Sequence, residues 1–344
     1  MDIAVRVPRH RPTRRCMTAH LYSTTVSAPA RLHLGFLDLH GGLGRRFGSL
    51  GLALDEVATT VTAQTADRIC AEGPQARRAE TYARLALRHM GIATGAHIVV
   101  HRAIPEHAGL GSGTQLALAV ASALAHLYGA ECDARALAAT LNRGQRSGIG
   151  LGLFEQGGFV LDGGRGATEE PPRITARLDF PASWRLLLIL DDGFRGLHGA
   201  AEKEAFAALP MFSEQQAGRL CRLALMQALP ALAEHDIAGF GAAISAIQAA
   251  VGDHFAPAQG GRFASRRVAR ALDWCAHNGA SGVGQSSWGP TGFVLLDSET
   301  RAHALLRALR SAFADQGLEF LVCSGRNRGA DLSVERIPAR ASAT

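Results

Sequence analysis

From residue 21 onward, apolar and polar positions take turns along the chain. The alternation over LYSTTVS (21–27) predicts a strand leading into APARLHLGFLDL (28–39), and SLGLALDEVATTVTAQ (49–64) reads as a further strand pair. The period then changes. QARRAETYARLALRHMG (75–91) repeats its apolar positions at helical spacing and stops at Gly91. AHIVVHRAI (96–104) predicts a strand. After it, GLGSG (109–113) opens a small-residue helix in which Leu116, Val120, Leu124 and Leu127 form one stripe, ending at Gly129. DARALAATLNRGQRSG (133–148) predicts a helix with a glycine stop, and GGFVLDGG (157–164) a short strand between glycine pairs.

The charged, proline-bearing ATEEPPR (167–173) is the expected boundary between two domains, 21–170 and 171–335. Beyond it, WRLLLILDD (184–192) reads as a buried strand and the alanine-rich stretch 200–250 as helical. A helix over 261–279, a strand over 289–298, a helix over 299–313 and a last strand over 318–325 follow. Strands and helices interleave in both halves, which predicts an α+β chain of two domains.

Composition narrows the chemistry. The chain has 344 residues, 47% hydrophobic and 19% charged, enough for two domains with real cores. No apolar run approaches the ~18 residues of a membrane span. The six cysteines are scattered without a C-x-x-C pair, which favours free thiols in a reducing, cytoplasmic setting. Lys203 is the only lysine among the 36 basic residues. GC-rich coding is the plain explanation, but the consequence is chemical: no lysine is available for a phosphate loop before position 203. The formal charge of +6 suits an anionic small molecule. Nucleic acid is disfavoured, because the arginines are spread out and only three Tyr and three Trp are present for stacking. Residues 1–20 are basic and lack an apolar signal core. They are expected to be a disordered extension, with Met17 as an alternative start.

GLGSG carries the chemistry. Its glycines allow positive φ and close approach to main-chain N–H groups, and the helix that follows adds unpaired amides and a positive dipole end. Together they suit an anion. A Walker A loop is excluded by the missing lysine. A dinucleotide loop is excluded because Leu116 stands where a third glycine is needed.

Pro105-x-x-x-Gly109-Leu110-Gly111-Ser112-Gly113, after a strand and before a small-residue helix, resembles the central motif of the GHMP superfamily. APARLHLGFLDLHG (28–41) and GVGQSSWGPTGFVLL (282–296) are similar to its first and third motifs. The resemblance implies a GHMP-kinase-like two-domain fold: an N-terminal domain related to ribosomal protein S5 domain 2 and a ferredoxin-like C-terminal domain. Many of these kinases carry Ser-Gly-x-Asp, whose Asp acts on the substrate hydroxyl. Here Ser147-Gly148-Ile149 is followed by Gly150, and glycine cannot serve as a base. RSGIG (146–150), FEQGGFVLDGG (154–164), ARLHLGFLDLHG (30–41) and DDGFRGLHG (191–199) resemble the β-ribofuranosylaminobenzene 5'-phosphate synthase family of methanopterin biosynthesis. That resemblance implies a decarboxylating phosphoribosyltransferase: 4-aminobenzoate joined to phosphoribosyl pyrophosphate, with release of CO2 and pyrophosphate and without ATP. The alternative is a GHMP small-molecule kinase.

Such a reaction must neutralise a departing pyrophosphate. Gly109, Gly111, Ser112, Gly113 and Thr114 are the expected phosphate cradle, with Arg31 and Arg146 either charge clamps or members of surface ion pairs. Asp191 and Asp192 end a strand and are either magnesium ligands, with Asp191 also in a catalytic role, or a solvated turn. Glu155 and Asp162 either orient the substrate amine or bind metal. His33 is either a proton carrier facing the site or a satisfied buried histidine, and His107 sits where it can touch phosphate. Ser147, Gln285, Ser286 and Ser287 are expected near substrate, the last three alternatively forming a plain glycine-rich turn. The resemblance allows a homodimer, and no interface is read in the sequence.

Overall fold

The computed structural model describes residues 22–131, 133–168, 170–194, 204 and 208–336. The expected extension 1–20, the Met17 start, Lys203 and residues 195–199 of DDGFRGLHG lie outside the described residues.

The N-terminal pattern condenses into two long strands, β1 (Tyr22–Asp38) and β2 (Phe47–Ala66), paired antiparallel. The expected strand pair over 49–64 is one strand. Asp55 and Glu56 do not turn the chain back. The pairing slips by a bulge between Pro29 and Ala30, and the two carboxylates face outward, toward Arg326 Nη1 (2.6 Å) and the Ser324 amide (2.8 Å). β3 (Cys70–Glu72), β4 (Gly95–Arg102), β5 (Phe159–Asp162), β6 (Ile174–Leu178) and β11 (Asp331–Arg336) complete a seven-stranded sheet. The path runs β11-β1-β2-β4-β3, with β5 paired to β2 and β6 to β5. Helices α1 (Ala76–His89), α2 (Ser112–Tyr128), α3 (Ala134–Thr140) and α4 (Ile149–Gln156) pack beside it. Every residue of α2 from Gln115 to Ala125 is buried. Each leucine it buries contributes about 1.5–3 kcal/mol, so its first turn is firmly held.

The helix expected over 133–148 ends at Thr140. Asn142 and Gly144 take positive φ and break it, and Pro171 and Pro172 pack into the space left by Gly144 and Gly148. Arg146 therefore stands in the turn before α4, not at a helix end. The same prolines join β5 to β6 and do not end the domain. The first sheet runs to Leu178 and takes β11 back from the far end of the chain, so the crossing falls in Asp179–Trp184, not at 170.

The second sheet holds β7 (Arg185–Asp191), β8 (Gly282–Gln285), β9 (Gly292–Leu296) and β10 (Leu318–Cys323), all antiparallel, in the order β10-β7-β9-β8. Numbered within the domain this is 4-1-3-2, the ferredoxin-like arrangement. Its helical part comprises α5 (Glu214–Leu223), a π-helical turn (Ala224–Ala228), α6 (Leu229–Ala233), α7 (Ile237–Gln259), α8 (Arg266–His277) and α9 (Glu299–Ala312). One core runs between the sheets: Phe240 of α7 meets Phe159 at 5.5 Å and Trp184 at 5.6 Å between ring centroids. No helix among the described residues is long and apolar enough to cross a membrane.

Candidate anion site and the cleft beside it

Three glycine-bearing segments meet. Gly109 and Gly111 hold φ of +83° and +80°, in the left-handed region. A Cβ at Gly109 would lie 2.2 Å from the Ser286 carbonyl oxygen, and one at Gly111 2.6 Å from Arg31 Cγ. Neither position admits a side chain. Arg31 Nη1 donates to the Gly109 carbonyl (2.9 Å), and its amide donates to the Leu110 carbonyl (3.0 Å). Ser286 Oγ donates to the same Gly109 carbonyl (2.7 Å) and accepts from the His33 amide (3.0 Å). Ser286 is fully buried and braces the loop from the other domain, so its hydroxyl does not face an open site.

The loop delivers an open helix start. Gly111 is the N-cap of α2, no side chain caps it, and its first turn holds no acidic residue. Of its first amides, that of Thr114 donates to the Gly111 carbonyl (3.1 Å), while those of Ser112 and Gly113 have no intrahelical acceptor. Two arginines that the sequence reading missed lean on this turn. A Cβ at Gly113 would lie 2.7 Å from Arg78 Nη2 and 3.3 Å from Arg143 Nη1. Both guanidiniums donate to the Tyr82 hydroxyl, and Arg143 stacks on the Tyr82 ring, 5.3 Å to its centroid. Arg143 Nε is buried without a partner. Glu106 answers Arg78 alone. Positive charge thus gathers where the helix dipole is already positive, an arrangement that an anion relieves.

Position 150 lies across from this start. The Gly150 carbonyl accepts from Gln115 Nε2 (2.8 Å), and a Cβ there would meet Thr114 Cγ2 at 3.0 Å. The nearby carboxylate, Asp162, is committed elsewhere. It accepts from the Gly148 amide (2.9 Å), the Ser147 hydroxyl (3.0 Å) and the Gly164 amide (2.8 Å), and so holds the turn that leads into α4. Burial pushes its pKa up, against those hydrogen bonds. Ser147 is thereby committed to that turn. Glu155 is exposed at the other end of α4.

Asp191 and Asp192 do not make a metal cage. Asp191 is buried and accepts from both ends of the Arg267 guanidinium, from Ser265 Oγ (2.5 Å) and from the Gly193 amide (3.0 Å). Those donors fill its oxygens, and Asp192 is exposed. Among the described residues, no three His, Cys, Asp or Glu side chains gather as a metal site would need. This ion pair anchors α8 to β7, a role that no local pattern could reveal.

Beside the loop, His33, Gly35, Gln248, Gln285, Ser287 and Trp288 line a narrow cleft. Its aromatic wall runs His33–Phe36 (4.5 Å), Phe36–Phe255 (6.4 Å) and Phe255–Trp288 (4.7 Å) between centroids. Burial first, then the Arg31 charge, pushes the His33 pKa well below the usual imidazole value, and its own carbonyl opposes them only in part. His33 is therefore neutral at pH 7. Gln285 is buried, with Oε1 accepting from the Ala264 amide (2.6 Å) and Nε2 donating to the Ser287 carbonyl (3.0 Å). His107 sits half-buried at the loop's edge with φ +59°.

The GHMP kinases N terminal domain model matches residues 77–163, and the GHMP kinases C terminal model matches 228–315. The chain is 32% identical over 329 residues to the Beta-ribofuranosylphenol 5'-phosphate synthase of Methanothermobacter thermautotrophicus, covering 89% of this chain and 97% of that protein. It is 33% identical over 323 residues to the synthase of the same name from Archaeoglobus fulgidus, covering 90% and 99%. Among solved structures, homoserine kinase from Cytophaga hutchinsonii aligns with a TM-score of 0.64 at 20% identity, covering 90% of this chain and 97% of that one. Mevalonate diphosphate decarboxylase from Staphylococcus aureus aligns at 0.66 and 14%, covering 92% and 99%. At those identities the two structures speak for the fold alone.

Proposed function

The chain belongs to the β-ribofuranosylphenol 5'-phosphate synthase family within the GHMP superfamily, and from that premise we propose that it is a decarboxylating phosphoribosyltransferase of methanopterin biosynthesis. A 4-substituted benzoate attacks C1 of phosphoribosyl pyrophosphate through the ring carbon that bears its carboxylate. The new C–C bond forms as the C–O bond to pyrophosphate breaks, and pyrophosphate leaves with the electron pair. The C–CO2 bond then breaks, and its electrons restore the aromatic ring.

The observation that carries this reading is a disagreement within one site. The loop and the uncapped start of α2 at Gly111–Gly113 suit an anion, yet Gly150 stands where a hydroxyl-activating acid would be. Phosphate binding is kept and kinase chemistry is not. In this reading the α2 amides, Arg78 and Arg143 hold the donor's pyrophosphate, and Arg31 keeps the loop in shape. Magnesium travels with the donor's phosphates, since Asp191 and Asp192 are not arranged to hold it. Both substrates are small cytoplasmic molecules. The buried thiols fit that setting, with burial pushing Cys275 up to about 12 and Cys323 further.

The test uses carboxyl-labelled 4-hydroxybenzoate or 4-aminobenzoate with phosphoribosyl pyrophosphate and magnesium, without ATP. Labelled CO2 and pyrophosphate should appear one for one. ADP formed from ATP in the presence of an alcohol, with no CO2, would replace this reading by a kinase.

A further inference from the structure

Arg46 holds a positive charge that no carboxylate meets. It is the last residue of the turn between β1 and β2 and is exposed. Its guanidinium lies over the Phe47 ring (5.5 Å to the centroid), and Nε donates to the Leu39 carbonyl (3.0 Å). The Nη groups have no acceptor among the described residues. With His40 and with His254 of α7, Arg46 lines a pocket of about 430 Å³, within the ~300–1,000 Å³ usual for small-molecule sites. The pocket shares no residue with the anion loop or the narrow cleft, and among the described residues no acidic one lines it. Its remaining walls are apolar, among them Leu39, Phe212 and Met211, the last 86% exposed.

The basic groups of this pocket oppose one another. Burial first, and then the Arg46 charge, push the His254 pKa below the usual imidazole value. His40 accepts from the Gly42 amide at Nδ1 (3.1 Å), so its neutral ring keeps the proton on Nε2 and remains a donor. Asp38, at the foot of the same turn, holds the His40 and Gly41 amides with one oxygen (2.8 Å each) and does not line the pocket. Phe212 packs edge to face on the His254 ring, 4.9 Å between centroids, so apolar surface begins where the charge ends. A bare inorganic anion would serve the guanidinium and leave that wall wet, and a hydrocarbon would do the reverse. We propose that the pocket binds a carboxylate carried on a compact hydrocarbon body, with the carboxylate on Arg46 and the body against Phe212 and Leu39. The pocket would take such a ligand whatever reaction the loop serves.

The test titrates the full chain, labelled with 13C-histidine, at constant pH and follows the ring signals of His254, identified by their loss in His254→Asn. The probes are cyclohexanecarboxylate, its neutral amide and inorganic phosphate. The amide isolates the charge and phosphate isolates the apolar body. Cyclohexanecarboxylate should shift the His254 signals saturably and bind about tenfold more tightly than the amide or phosphate, the worth of one charge-assisted hydrogen bond. Arg46→Gln should weaken the carboxylate to the level of the amide, and Arg46→Lys, which keeps the charge, should recover part of the loss. Arg143→Gln, at the anion loop, should leave its affinity unchanged. Arg46 is exposed, so thermal melts of its variants should match the parent and exclude misfolding. The proposal is overturned by the absence of a saturable shift, by an amide or a phosphate that binds as tightly as the carboxylate, or by an Arg46→Gln variant that binds as the wild type does.

Discussion

Arg143 has an unpartnered Nε, an aromatic ring under its guanidinium and Gly113 in front of it. Such a side chain is built to lose little entropy when an anion arrives. Arg143→Gln should raise the KM for phosphoribosyl pyrophosphate about tenfold or more and leave the KM for the arene nearly unchanged, read in steady-state kinetics. Asp191 makes a contrasting case. Asp191→Asn removes the charge that Arg267 answers, so it should lower the melting temperature without altering the magnesium dependence of turnover. A changed magnesium optimum would restore Asp191 to the metal. Asp162 gives a pH signature. Burial raises its folded pKa above the unfolded carboxylate value of about 4, so its contribution to stability is full below that value and fades as pH rises through the folded one. The stability of the wild type relative to Asp162→Asn should therefore fall as pH increases across that window, followed by urea unfolding.

At the scale of elements, α2 holds the site still. It is buried from Gln115 to Ala125, and its loop is pinned by Arg31 from β1 and Ser286 from the turn after β8. Leu124→Ala should cost about 3 kcal/mol in urea unfolding, since Leu124 is wholly buried in the core of the first domain. This helix and its glycine loop were legible in the sequence, because glycine spacing and a helical stripe are local signals. Arg78 and Arg143 were not. They flank the loop by about thirty residues on either side, and only the packing of α1 and the α3–α4 turn brings them to Gly113. The strand end at Asp191 was read correctly as a strand end. Its partners, Ser265 and Arg267, come from α8, and no pattern within WRLLLILDD discloses them. β11 escaped notice for a different reason. Its Leu332 and Val334 do alternate with polar neighbours, but the run is only six residues long and all of it is exposed, so the signal is short and no buried face backs it.

Across the whole molecule, the two sheets contribute unequal parts to one site. The first supplies the loop, the arginines and His33; the second supplies Ser286, Gln285 and Trp288 at the cleft. The chain crosses between the sheets twice, near Asp179–Trp184 and again between Cys323 and Asp331, at neither of the two contributions. What matters for the site is that the sheets touch, through Phe240 with Phe159 and Trp184 and through Ser286 with Gly109. β11 closes the arrangement by bringing Arg336 opposite Tyr22 in the pairing register. The ends of the described chain are thus neighbours across one strand spacing of about 5 Å. A circular permutant follows from that adjacency. With Arg336 joined to Tyr22 by a short glycine–serine hairpin and the chain reopened between the exposed residues Ala182 and Ser183, the domains would be synthesised in reverse order. It should melt within a few degrees of the parent and keep its affinity for the ribosyl donor, because the order of synthesis leaves every contact at the loop intact.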